Sequence, residues 1–186
     1  MLRCQIQIET VRRQYNGDEK EKLFELYGEP ERWGQTLKTM LWTHSNLTVQ
    51  PFTADALVDV PLPCTFDFNV AATKYLDGLE DGDIPICVLF SGTVFYHDAA
   101  DSVQIDQISW DREANYRVPV SVWKQMMEHY YPNSVWLNLR KDVFEKLRDY
   151  KIRRGITSWE QAFERLIADD LGPVANLEKP NAVGAN

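Results

Sequence analysis

The sequence predicts an α+β domain, an antiparallel sheet of about four strands with helices packed mainly on one face. Three observations lead there. Ile84 to Phe90 is apolar at successive positions, the pattern of a strand with little solvent on either side, and Val103 to Trp110 returns toward it after a turn over 97–102. Leu2, Cys4, Ile6 and Ile8 alternate with Arg3, Gln5, Gln7 and Glu9, which is the period of a half-buried strand. From Ala72 to Leu79, and again from Val120 to Tyr130, apolar positions recur three or four apart, the period of a helix with one covered face.

Each element follows from local chemistry. Asn16-Gly17-Asp18 reads as a turn and cap before a short helix, Glu19 to Tyr27, with Leu23, Phe24 and Tyr27 on one side and Gly28 as its stop. Trp33 anchors the loop that follows. Leu41 to Val49 reads as a second strand, with Leu47 and Val49 inward and Pro51 ending it. Val58 and Val60 suggest a short edge strand, since Pro61 and Pro63 exclude a central one. A short helix begins near Asn69, with Ala72, Tyr75, Leu76 and Leu79 on its apolar side.

Gly92 interrupts the long central strand, as a bulge or a close backbone approach requires. In the returning strand Val103, Ile105 and Ile108 are expected to face inward, and 111–117 reads as a polar connection. Pro119 suits the first turn of a helix that runs to about Tyr131, with Lys124, Gln125, Glu128 and His129 on its outer face. Beyond an extended piece, 135–139, Asp142 caps a helix through Ile152. Ser158 with Gln161 caps a last one, striped by Trp159, Ala162, Phe163, Leu166 and Ile167. Residues 1–170 are expected to form a single domain, and 171–186, with few apolar anchors, an unstructured tail.

Composition excludes several function classes. A formal net charge of −8 opposes general nucleic-acid binding, which needs phosphate neutralisation. No apolar run reaches the roughly 20 residues of a membrane-spanning helix, and no apolar leader opens the sequence. Cys4, Cys64 and Cys87 are dispersed and odd in number, as expected of free thiols in the cytoplasm. A strand that opens at residue 2 leads us to expect a natural chain that starts further upstream.

Catalytic and metal signatures are sparse. His44, His97 and His129 have no Cys or His at ligand spacing, so no zinc is expected. The acidic run Asp77, Glu80, Asp81 and Asp83 misses the oxygen spacing of a calcium loop and reads as a solvated turn. Ser91-Gly92-Thr93 lacks the flanking glycines of a nucleophile elbow, and no phosphate-cradling glycine loop occurs, so no cofactor is expected. Arg148, Lys151, Arg153 and Arg154 sit where cations complement a helix C-terminus. An enzyme remains open only as a site assembled from scattered residues, with Asp67, His44 and His97 as the candidates.

The stronger expectation is a non-enzymatic protein-binding or assembly module. Met126-Met127 and Tyr130-Tyr131 widen the apolar belt of the helix after Pro119 beyond what one sheet face needs. Trp123, Met126, Met127, Tyr130 and Tyr131 are therefore the candidate partner-binding residues, of the adaptable and amphipathic kinds that interfaces favour. Self-association is expected too. Ile84, Ile86, Val88 and Phe90 lie on one face of the central strand and Cys87 and Leu89 on the other, and an uncovered apolar second face would mark an interface.

Several stretches carry a resemblance: Leu26-Tyr27-Gly28-Glu29-Pro30-Glu31-Arg32-Trp33-Gly34, Pro63-Cys64-Thr65-Phe66-Asp67-Phe68, Leu89-Phe90-Ser91-Gly92-Thr93-Val94-Phe95, Tyr116-Arg117-Val118-Pro119-Val120 and Tyr131-Pro132-Asn133-Ser134. Over residues 2 to about 168 the chain resembles a bacterial family known only as a domain of unknown function, often encoded beside [NiFe]-hydrogenase genes. The resemblance implies a partner among hydrogenase subunits or maturation factors, and it implies no site residue. More distantly, the order of elements from Gly92 to Ile152 is similar to that of the export chaperone SecB. That likeness concerns the fold and does not fix a function.

Overall fold

The computed structural model describes residues 1–171, and the tail expected after them lies outside the described residues. The chain divides into two compact units, Met1–Val135 and a second that begins at Trp136. The first holds a five-stranded antiparallel sheet, one strand more than expected: β1 (Leu2–Ile8), β2 (Met40–Leu47), β3 (Asp83–His97), β4 (Val103–Gln107) and β5 (Glu113–Pro119). Its helices are α1 (Gly17–Lys22), α2 (Phe24–Tyr27), α3 (Trp33–Thr36), α4 (Val70–Gly78) and α5 (Val120–Tyr130). The second unit contains α6 (Lys141–Arg153) and α7 (Trp159–Leu171).

β1 lies between β2 and β3, with Leu2, Cys4 and Ile6 opposite Leu47, Ser45 and Thr43 on one side and opposite Gly92, Phe90 and Val88 on the other. The far side of β3 is shared by β5, along Asp83–Leu89, and β4, along Thr93–His97. Between them Phe90 to Gly92 face Ile108 to Arg112, closed by Phe90 N–H donating to Arg112 O and Ile108 N–H donating to Gly92 O. Three residues against five make a wide bulge, so β4 and β5 are one return strand broken in the middle. β5 corrects the polar connection expected at 111–117. Ala114, Tyr116 and Val118 alternate there with Glu113, Asn115 and Arg117, a strand pattern that its exposed side chains weaken.

Helices cover one face. Ile8, Ile84 and Ile86 meet Ala72, Tyr75, Leu76 and Leu79 of α4, Val120, Trp123 and Met127 of α5, and Leu23, Tyr27 and Trp33 from the first three helices. Removing one such aliphatic side chain from water contributes about 1.5–3 kcal/mol. The helix expected over Glu19–Tyr27 is broken at Leu23 into α1 and α2, and Leu23 itself is fully buried. The strand expected at Val58 and Val60 does not form. Val58, Val60, Leu62, Cys64 and Phe66 are half-buried and alternate with exposed residues, but no ladder pairs them. The prolines at 61 and 63 remove the donors such a ladder needs.

A buried ion pair ties the first helix to the entry of β3. Asn16 caps α1 with a reciprocal box, its Oδ1 accepting from Glu19 N–H (2.8 Å) while Glu19 Oε2 accepts from Asn16 N–H (3.1 Å). Glu19 Oε1 also accepts from Arg13 and from the Glu80 N–H (2.8 Å), and Arg13 donates to the carbonyls of Asp81 (2.7 Å) and Asp83 (2.8 Å). Enough hydrogen bonds converge on this carboxylate to offset its burial.

In the second unit, Phe144 and Trp159 stack at 5.2 Å, and Trp159 and Phe163 at 6.4 Å. The basic residues there have local partners: Lys151 lies over the Trp159 ring and donates to Thr157 O, and Arg154 lies over Tyr150. Ser158 Oγ accepts from Gln161 N–H, half of the expected capping box.

Candidate functional site

β3 is about twice as long as β1, 15 residues against 7, and that excess creates the most unusual surface of the molecule. Gly92 sits at the change. Its φ is +146°, and a Cβ placed on it would meet the Met1 carbonyl and lie 3.2 Å from Leu2 Cα. The close backbone approach expected from the sequence is therefore present, and only glycine is comfortable there. Immediately beyond, the Met1 ammonium donates to Thr93 O (2.7 Å) and Thr93 N–H donates to Met1 O (2.9 Å).

Past that rung, β3 pairs with β4 alone. Antiparallel alternation then fixes where the backbone points. Gly92 O is bonded toward β4 and Thr93 toward Met1, so the N–H and C=O groups of Phe95 and His97 follow Thr93, onto the side where β1 has ended. That edge borders an open groove of about 760 Å³. The segment after β2, with Val49, Phe52 and Val58, lines it together with Met1 and Leu2.

Large apolar side chains crowd the same region. Phe95 is 61% exposed, Ile105 66% and Trp110 91%, and Val94, Tyr96 and Val103 are exposed beside them. The inward placement expected for Val103 and Ile105 is thus corrected: α4 and α5 pack against Ile84 and Ile86 in the inner half of β3, and both side chains are exposed. The tip is ordered by Asp98, whose carboxylate accepts from Ala100 N–H (2.8 Å), Ser102 N–H (3.0 Å) and Gln104 Nε2 (2.8 Å). These bonds, the one from Ser102 foremost, hold the Asp98 carboxyl below the usual carboxylate range.

The belt expected on α5 is divided. Trp123 and Met127 belong to the core, and Trp123 Nε1 donates to Asp77 Oδ1 (2.8 Å) while its ring meets Trp42 edge-on. Met126 and Tyr131 lean against the core, the latter with its ring 4.6 Å from that of Phe66. Tyr130 alone of the five is largely exposed. The belt is wide because α5 packs on α4, Trp42 and Phe66 as well as on the sheet.

Asp67, His44 and His97 occupy separate places. Asp67 is exposed before α4, His44 on β2 lies near Gln5 (3.2 Å), and His97 at the end of β3 contacts Asp101 (3.0 Å). Among the described residues no three His, Cys, Asp or Glu side chains are grouped to hold a metal ion. The second face of the sheet, expected to be apolar, carries exposed Arg3, His44, Asn46, Glu113, Asn115 and Arg117. Cys87 is buried among them, and burial pushes its thiol up. No helix among the described residues is long and apolar enough to cross a membrane.

The hairpin surface escaped the sequence reading because alternation marks a strand without saying what covers it. The available signal was length: a 15-residue strand spans about 50 Å and overhangs any partner half as long.

A family model matches residues 1–173, nearly the whole chain, and its description is "Family of unknown function (DUF6084)". Neither a curated protein nor a solved structure matches the chain.

Proposed function

The chain belongs to the family of unknown function DUF6084, and we propose that it is a non-enzymatic protein-binding module whose contact surface is the outer half of the β3–β4 hairpin. One observation carries this reading: Phe95, Val103 and Ile105 are exposed on one face of a hairpin held to the rest of the sheet through β3, with Tyr96 exposed on its other face and Trp110 in the bulge at its base. Contiguous exposed apolar surface is costly in water and marks an interface. Aromatic residues rimmed by polar ones suit the centre of such a contact.

The partner to test first is a hydrogenase subunit or maturation factor, on the strength of the family resemblance. Free Cys4, Cys64 and Cys87 favour a cytoplasmic setting. Self-association through the same hairpin is a further form that binding assays must separate, and the SecB-like order of elements stays a proposal about the fold alone.

The test replaces Ile105 and Trp110 together by serine and compares capture of purified hydrogenase components with the wild-type chain. Both side chains are mostly in water, so the melting temperature should hold within a few degrees while capture falls at least about tenfold. Undiminished capture would refute the hairpin as the contact surface.

A further inference from the structure

We propose that two copies of this chain join edge to edge through β5, antiparallel about a two-fold axis at Asn115, so that Glu113 of each copy faces Arg117 of the other. This goes beyond the protein-binding reading, since it uses a different strand and takes a second copy as the partner.

The first observation is the edge itself. β5 pairs with β3 alone. Phe90 N–H donates to Arg112 O and Val120 N–H to Gly82 O. Antiparallel alternation therefore turns the N–H and C=O groups of Ala114, Tyr116 and Val118 toward β3, and those of Glu113, Asn115 and Arg117 away from it. Among the described residues no backbone bond reaches these three, and every residue from Glu113 to Arg117 is exposed. An unpaired row of this kind is a template for another strand.

The second observation is charge. Edge strands often carry charges that repel a second copy, but here they are arranged to attract one. Glu113 and Arg117 share a face about 13 Å apart along the strand, too far to pair with each other. Neither has an ion-pair partner among the described residues, and Glu113 Oε1 accepts from Asn115 Nδ2 (3.3 Å). They stand symmetrically about Asn115. Antiparallel pairing centred there sets each Glu113 opposite an Arg117, and on the other face sets Tyr116, 65% exposed, opposite Ala114. About six backbone hydrogen bonds close the seam. Centred on Glu113 or on Arg117 instead, the pairing sets like charges face to face, so one register is favoured. Pro119 has no N–H to extend it.

The seam is short and each copy carries a formal net charge of −8, so the dimer is weak. It should predominate at about 200 µM and dissociate at about 2 µM. Sedimentation equilibrium of the 186-residue chain, in roughly 150 mM salt, measures it across that range. Glu113→Arg sets arginines against each other and Arg117→Glu sets glutamates against each other, so each variant should weaken the dimer about tenfold or more. The two variants mixed should restore it as a heterodimer, and so should both changes made in one chain. Both side chains are exposed, so melting temperatures should hold within a few degrees. Hydrogen exchange supplies a second readout. The amides of Glu113, Asn115 and Arg117 should exchange freely in dilute protein and severalfold more slowly in concentrated protein, while those of Ala114, Tyr116 and Val118 stay slow in both.

A wild-type monomer at about 200 µM would overturn the proposal. So would a dimer that survives both single variants, or mixed variants that stay monomeric, because either result places the contact elsewhere. Amides at 113, 115 and 117 already slow in the dilute monomer would overturn it as well, by showing that the edge is covered from within.

Discussion

Replacing Gly92 by alanine brings a methyl group against the Met1 carbonyl at a backbone angle that side chains rarely adopt. Two costs add. Holding a non-glycine residue at φ +146° strains the backbone by about 1–3 kcal/mol. Relieving the clash moves Met1 away and breaks its two hydrogen bonds to Thr93, worth about 1 kcal/mol each. The sum is about 3–5 kcal/mol, or a fall of roughly 10–20 °C in melting temperature for a unit of this size. Circular dichroism melts and urea titration measure it. Gly17→Ala is the control, since nothing lies within 4 Å of a Cβ there. A Gly92→Ala protein within about 1 kcal/mol of wild type would refute the close approach, and with it the geometry that ends β1 at the groove.

Two further expectations follow from the same structure. Met127→Asp buries a charge in the core and should unfold the first unit, a loss of several kcal/mol, whereas Tyr130→Ser, four-fifths of a turn away and exposed, should leave the melting curve almost unchanged; similar effects from the two would contradict the division of the α5 belt. The Asp98 carboxyl is held low in the folded chain, so its contribution to the hairpin is present above the ordinary carboxylate range and lost as pH falls through its depressed value. A carbon-detected titration should show Asp98 protonating below the ordinary carboxylate range, with the Ala100 and Ser102 amides shifting alongside it, and an ordinary midpoint would speak against the turn as described.

Much of the sheet was legible because its signals are local. The alternation of Leu2 to Ile8 marks β1, and Cys4, Ile6 and Ile8 are all buried. The spacing of Ala72, Tyr75, Leu76 and Leu79 finds α4 and its inner face together. Gly92 is readable because a glycine inside an apolar strand is costly unless the backbone needs it. What failed needed knowledge of neighbours. Val103 and Ile105 alternate like core residues, and nothing in their own segment says that they stay exposed. Glu19 looks like an ordinary first-turn acid, yet it is 1% exposed, because Arg13 and the Glu80 amide close over it from positions 6 and 61 residues away. The candidate site followed the same divide. Composition correctly located aromatic residues on α5, but their availability depends on Trp42, Phe66 and Asp77 from other elements.

The place of β1 in the sheet bears on how the chain emerges from the ribosome. Both of its neighbours are made after it, and its second edge is complete only when Gly92 appears, some 84 residues after Ile8. At about 5–20 residues per second that interval lasts roughly 4–17 s. For that time a strand with four apolar side chains on one face has at most β2 beside it, and the Glu19 carboxylate waits a shorter interval, 61 residues, for the Glu80 amide. The first helices can form meanwhile, but the layer they belong to cannot close. A nascent chain of this design is thus committed late, and its exposure to chaperones is written into strand order rather than into any single residue.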